Sequence, residues 1–206
     1  VKMQREEQAH EEKMRELNEQ FKQQEEMTNQ EMFLKRLTLL NIPLSLEGKE
    51  LPSELKAKIM LMRVAYDKAA KAFDDDMQQV LKEIKKEGYD ERAQKINHMK
   101  EIDGKEDATK EEKKEADEIR KIEADFNKET EELNKAYSEA YQEKMKEECD
   151  MRPRKFAFEG FAKIIELIGT DGAIKVKWNS PEALEIPKEE FISLIATNLV
   201  DNFNNI

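Results

Sequence analysis

A regular stripe of apolar residues constrains the fold of this chain more than any other feature. Its members follow one another at steps of four and three residues: Leu55, Ile59, Met62, Tyr66, Ala69, Phe73, Met77, Val80 and Ile84. An average step of about 3.5 residues is typical of a coiled-coil helix, because a globular core needs a wider apolar face. The stripe therefore predicts one long helix, N-capped by Ser53 and ending near Lys86, that packs against a partner helix.

A second stripe of the same kind follows Thr109, whose spacing to Glu112 matches a helix capping box. Its apolar members are Ile119, Ile122, Phe126, Leu133, Tyr137 and Ala140. Residues 89–108 form a polar connector, with a short helix expected at 91–99. Two matching helices joined in this way favour an antiparallel hairpin. The stripes leave open whether the hairpin closes within one chain or between chains.

The predicted hairpin contact joins the two stripes. Its packing residues are Leu55, Ile59, Tyr66, Phe73 and Met77 on the first helix, with Ile122, Phe126 and Tyr137 on the second.

The regions on either side of the hairpin have different patterns. Residues 1–41 predict a polar helix with a sparse apolar stripe, which ends before Pro43. Residues 42–150 contain the hairpin, preceded by a short turn at Glu47 and Gly48. Residues 151–206 predict a small α+β module of helix, two strands and helix, held together by Phe156, Phe161, Trp178 and Phe191. The predicted fold class is mainly α: a long coiled-coil-like antiparallel helical hairpin with an N-terminal helix and a small α+β C-terminal module.

The charge of the chain bears on its partners. The formal net charge is −11 at pH 7, and residues 101–150 contain 19 acidic and 10 basic side chains. Nucleic acid is disfavoured as a partner, because phosphate binding needs a basic surface. Arg152, Arg154, Lys175 and Lys177 near Trp178 leave one local exception, a small basic and aromatic surface. The acidic face would meet a basic partner or simply stay hydrated.

Candidate catalytic and metal-binding patterns are incomplete. His10 begins a zinc-helix pattern, but Met14 stands where the second histidine is needed. Asp74, Asp75 and Asp76 point about 100° apart on a helix, so they would not converge on one ion. Cys149 has acidic neighbours, which disfavour a reactive thiolate. We expect no catalytic, cofactor-binding or metal-binding residue and no small-molecule substrate. A hydrolase or metal enzyme is one further functional hypothesis, and it would require metal bound to the purified protein in stoichiometric amount.

Localisation is constrained by three observations. Cys149 is the only cysteine, so an internal disulfide is excluded and a reducing compartment fits best. No apolar run approaches the ~20 residues of a membrane span. The first residues lack a signal-peptide core. We expect a cytoplasmic or virion protein without a membrane segment, while targeting information before Val1 stays open.

Two stretches carry a resemblance to a known group of proteins. Gly48-Lys49-Glu50-Leu51-Pro52 precedes the first long helix, and Glu123-Ala124-Asp125-Phe126-Asn127-Lys128 lies in the second. With the polar connector between the helices, residues 48–148 resemble short helical-hairpin proteins encoded in the structural gene clusters of tailed bacteriophages. The resemblance is one of layout and composition, so it assigns no functional residue. It implies a virion, tail or assembly component without enzymatic activity.

The sequence thus favours a non-enzymatic structural or assembly protein that acts through helix–helix contacts with protein partners. A homo-oligomer or larger assembly is expected. The alternative is an acidic adaptor or inhibitor that binds a basic partner surface, for example as a nucleic-acid mimic. Salt dependence separates the two, because screening weakens charge-driven binding far more than apolar packing.

Overall fold

The structure is a computed structural model that describes residues 26–201, and it is mainly helical, as the sequence predicts. Contacts divide these residues into two compact units: unit 1 contains residues 26–73 and 146–201, and unit 2 contains residues 74–145. Helices and strands follow in the order α1 (Asn29–Leu40), β1 (Ser45–Leu46), β2 (Lys49–Glu50), α2 (Ser53–Ile84), α3 (Tyr89–Asp103), α4 (Lys110–Lys146), α5 (Phe158–Ile168), β3 (Ala173–Val176), β4 (Leu184–Pro187) and α6 (Lys188–Leu199). Residues 1–25 of the predicted N-terminal helix lie outside the described residues; in the remainder, residues 26–28 are not helical and Asn29–Leu40 form the helix α1.

Local sequence signals explain where most elements begin and turn. Thr28 and Glu31 form a capping box at the start of α1, in which the Glu31 N–H donates to Thr28 Oγ1 over 3.2 Å. The predicted turn between β1 and β2 is confirmed. Glu47 and Gly48 both have positive φ angles, of 50° and 80°, as a tight two-residue hairpin requires. At the other end of the chain, Gly169 ends α5 with a φ of 73°.

The connector after α2 differs from its prediction. A helix of 15 residues, α3, replaces the short helix expected at 91–99, and only residues 104–109 remain between α3 and α4. Gly88 separates α2 from α3 in the left-handed conformation, with a φ of 72°. The extra helical turns are stabilised by Ile96, Met99 and Ile102, which are buried. Their spacing of three residues is present in the sequence, but the many charged residues around them obscured this apolar helix face.

The core of unit 1 collects residues from all three segments that the sequence analysis separated. Met32 and Leu39 of α1, Ile59 of α2 and Phe191 of α6 are buried in one continuous cluster. The C-terminal elements follow the predicted order, and β3 pairs with β4 in antiparallel register, with Ile174 opposite Ile186. Contacts thus group the N-terminal helix, the first part of α2 and the C-terminal elements together.

Hydrogen bonds between distant segments fix the arrangement of unit 1. The buried Tyr66 hydroxyl donates to the Arg154 carbonyl over 3.3 Å and accepts from the Arg154 N–H over 3.1 Å. Burial raises the pKa of this hydroxyl. The Arg63 guanidinium donates to the carbonyls of Leu39, Leu40 and Ile42, the last over 2.6 Å. These carbonyls lie at the end of α1, where helical partners run out, so the cation satisfies them.

Unit 2 is an antiparallel helical hairpin within one chain. Residues 74–84 of α2 and then α3 form the outgoing arm, and α4 forms the returning arm. Pairs of opposite charge follow its length: Lys144 with Asp76 at 3.2 Å, Lys86 with Glu132 at 3.3 Å, and Arg120 with Asp103 at 2.8 Å. As the outgoing residue number rises, the returning number falls. The three pairs therefore establish the antiparallel direction.

Candidate helix-contact surfaces

The first predicted stripe is buried or half-buried along its length, but its members belong to two different units. Leu55, Ile59 and Tyr66 belong to the core of unit 1, where Leu55 Cδ1 lies against Gly160 of α5. Phe73 is 3% exposed and packs edge-to-face on Phe33 of α1, with ring centroids 5.1 Å apart. The sequence analysis did not predict these neighbours in unit 1, and its pairing of Leu55, Tyr66 and Phe73 with the second stripe stays a prediction. One periodic stripe can be buried by several neighbours, and spacing cannot tell them apart.

The remaining predicted hairpin residues lie in unit 2. Met77 is buried, and the Phe126 ring lies 5.1 Å from the ring of Tyr89, tilted by 33°. Ile122 and Tyr137 are half-buried. Tyr89 was missed by the sequence analysis because it fell in the supposed connector. Its hydroxyl also lies 3.1 Å from Thr130 Oγ1, so it joins α3 to α4 by packing and by a hydrogen bond.

A bidentate ion pair joins α3 and α4 in unit 2. The Arg92 guanidinium donates to both carboxylate oxygens of Glu129, over 2.7 Å and 3.2 Å, and the Glu129 side chain is only 14% exposed. Such a bidentate pair fixes orientation as well as distance. A second apolar cluster, formed by Met99, Ile102 and Ala116, lies nearer the tip of the hairpin.

The aromatic residues predicted to hold the C-terminal module are placed in unit 1. Phe156, Phe161 and Phe191 are buried, and Trp178 is half-buried against the same cluster. The Phe156 backbone pairs with the end of α6: its N–H donates to the Leu199 carbonyl, and its carbonyl accepts from the Asp201 N–H. The Lys58 ammonium lies 5.7 Å from the Phe156 ring centroid, which links α2 to the same site.

Glu112, at the tip of the hairpin, is a carboxyl group whose pKa is clearly lowered. Its carboxylate accepts from the Lys105 ammonium over 2.7 Å and from the Thr109 N–H over 2.8 Å, which confirms the predicted capping box. The Lys105 hydrogen bond, followed by the Thr109 backbone, lowers the pKa of Glu112 to about 2. Glu112 raises the pKa of Lys105 in turn.

This pair gives a prediction of pH dependence. A lowered carboxyl pKa stabilises the fold above the ordinary value of 4.5, and that contribution is lost as the pH falls towards about 2. We expect an NMR titration of the Glu112 carboxyl carbon to have its midpoint near 2, and Lys105→Met to move it upward. Lys121→Met, which removes a lysine paired with Glu118, is the control and leaves Glu112 unchanged. A wild-type midpoint near 4.5 would refute the contact.

Three large apolar side chains on the outer side of α2 are more than half exposed. Met60, Leu61 and Val64 are 56%, 66% and 65% exposed, and they lie within two turns of one helix. Ala57 precedes them on the same side and is also exposed. We call these four residues the α2 strip. The sequence analysis missed it, because the buried stripe alone was taken as the helix-contact surface. A second, weaker 4-3 pattern at Ala57, Leu61 and Val64 was the available signal.

A groove between α3 and α4 is a second candidate surface. It has a volume of about 670 Å³, and its apolar lining comes from Ile119 and Ile122. Glu115 and His98 stand at its rim, with His98 Nε2 3.6 Å from Glu115 Oε1. Within residues 26–201, no group of three or more histidine, cysteine or acidic side chains is arranged to hold a metal ion.

Other candidates from the sequence are placed as follows. The carboxylates of Asp74, Asp75 and Asp76 are on exposed residues, and Cys149 is buried, with its N–H donating to the Met27 carbonyl. The basic surface is partly neutralised, since Arg152 pairs with Glu26 and Glu148. The predicted zinc-helix start at His10 lies outside the described residues.

Comparisons with protein-family models, with curated proteins and with solved structures find no match for this chain. In the part of the chain that the structure describes, every helix is too short or too polar to cross a membrane.

Proposed function

We propose that this protein is a non-enzymatic structural or assembly subunit that acts through helix–helix contacts with protein partners. The α2 strip is the observation that carries the proposal. A single exposed leucine is ordinary. Adjacent large apolar residues on one helix turn, however, form a surface whose burial against a partner lowers the free energy. The rest of the exposed surface of α2 is mostly polar, so the strip forms a separate apolar patch.

The proposal extends to the class of assembly. In layout and composition, residues 48–148 resemble the short helical-hairpin proteins encoded in structural gene clusters of tailed bacteriophages. We propose the same role for this chain, as a virion, tail or assembly component that works in the cytoplasm or in the particle. Helical layout and the exposed strip support this role together, since a subunit needs both a stable body and an uncovered contact surface.

The strip gives the direct test. We expect the triple variant Met60→Gln, Leu61→Gln and Val64→Gln to fold normally, because all three side chains already face solvent. Association should weaken by about a hundredfold, since roughly 1 kcal/mol of burial is lost per side chain. Analytical ultracentrifugation over a range of concentrations measures the loss. Leu184→Gln, at a residue 55% exposed outside the strip, is the matched control and should associate like wild type.

Two outcomes would contradict the proposal. A wild-type chain that stays monomeric at every accessible concentration, and alone in its native source, would remove the assembly role. An association that is unchanged in the triple variant but collapses between low and high salt would favour the acidic adaptor instead, because only charge-driven binding is screened so strongly. Apolar packing at the strip should instead respond little to salt.

A further inference from the structure

We propose that the α2 strip binds the α2 strip of a second copy of this chain, with the two helices antiparallel. This inference rests on the proposed function and names its partner and geometry. The first observation behind it is the spacing of exposed residues along α2. Ala57, Leu61, Val64 and Lys68 follow at steps of four, three and four residues and are all exposed. That is the period of a coiled-coil contact, here on the side of α2 opposite to its buried stripe.

The helix geometry supports a two-sided α2. Each residue turns the helix by about 100°, so Val64 lies roughly 160° away from the buried Tyr66. The buried face already contacts α1 and α5 within unit 1. A second helix can therefore reach the strip without displacing any contact of the core. The same backbone segment then serves the fold on one side and the assembly on the other.

Charges at the two ends of the strip determine which partner helix is complementary and in which direction that helix runs. Glu54 lies one turn before Ala57, while Lys68 and Lys71 follow Val64, and all three are exposed. An antiparallel copy places its Glu54 opposite Lys68 and Lys71, twice per dimer. A parallel copy would place like charges together, which costs free energy. The charges of Glu54, Lys68 and Lys71 thus favour the antiparallel orientation, which is compatible with a two-fold symmetric interface.

Charge reversal tests this geometry in the full chain. We expect Glu54→Lys to weaken the dimer about tenfold, because the attraction at both ends of the interface becomes repulsion. The swapped variant Glu54→Lys with Lys68→Glu and Lys71→Glu should recover wild-type affinity within about twofold, since every pair again has opposite charges. Asp125→Lys, an equal change of charge on an exposed part of α4, is the control and should leave the dimer intact. Sedimentation equilibrium measures all four proteins.

The outcomes separate this inference from the proposed function. Association that requires the strip but is unchanged in Glu54→Lys, or is not restored in the swapped variant, would overturn the antiparallel geometry and leave the assembly role standing. A monomeric wild-type chain would overturn both.

Residues 1–25 are the competing occupant, and a labelling experiment distinguishes them. In a Cys149→Ala background, Leu61→Cys provides one exposed thiol. At a concentration where the protein is monomeric, rapid reaction with a maleimide supports a free strip, and reaction should slow as dimer forms. Slow reaction in the monomer would mean that the chain covers its own strip and would overturn the proposal.

Discussion

Phe73→Asp is expected to unfold unit 1. The Phe73 side chain is 3% exposed and meets Phe33 edge-to-face. Removing a buried phenylalanine costs about 3–5 kcal/mol, and a buried carboxylate without a partner adds to that cost. The sum approaches the whole stability of an ordinary domain, about 5–15 kcal/mol. Circular dichroism at 222 nm should show lost helicity, and urea denaturation should show a midpoint near zero.

Asp75→Ala is the control for this variant. Asp75 lies two residues away on α2, and it is exposed. Alanine favours the helix slightly more than aspartate does, so the change in unfolding free energy should stay within about 0.5 kcal/mol. Equal tolerance of both substitutions would mean that Phe73 is not on the buried face of α2, and the packing described for unit 1 would fall with it.

Phe156→Ala is expected to have the second largest effect. This ring is fully buried where α2, α6 and the segment before α5 meet, and it lies under the Lys58 ammonium. Alanine keeps the backbone hydrogen bonds to Leu199 and Asp201, so the loss reports side-chain packing alone. We expect the free energy of unfolding to fall by about 3–5 kcal/mol in urea denaturation.

The chain offers a matched control two residues later. Phe158 is 57% exposed at the first residue of α5, with its ring 6.4 Å from that of Phe161. Phe158→Ala removes the same aromatic group from a wet position, and we expect a loss below about 1 kcal/mol. A Phe158→Ala loss as large as that of Phe156→Ala would show that exposure does not separate the two rings.

Several elements were predictable because they depend on residues close in sequence. The start of α4 follows from Thr109 and Glu112, whose side chains and backbone groups satisfy each other across one turn. The turn at Glu47 and Gly48 and the end of α5 at Gly169 have the same local origin. The helix α2 was also predictable, since its apolar period extends over eight turns and charged residues exclude a strand.

The packing partners of the predicted helices were harder to predict from the sequence. Leu55 and Phe126 carry equivalent stripe positions, yet Leu55 packs on α5 and Phe126 on Tyr89 of α3. Apolar side chains have no directional chemistry, so a period shows which face is buried without showing what buries it. The exposed α2 strip could not be recognised from the sequence either. Leu61 and Val64 looked like ordinary surface residues in sequence, and their joint exposure is visible only once α1 and α5 occupy the other face.

By itself, the sequence determined the helical class, the main helix boundaries and the buried face of α2, because periodicity and capping act over single turns. Only the tertiary structure decided that α3 joins the hairpin, that α1 and the C-terminal elements share one core, and that the described residues leave the α2 strip exposed. Those outcomes depend on contacts between distant residues. Tyr66 and Arg154, 88 positions apart yet joined by two hydrogen bonds, show why spacing along the chain could not supply them.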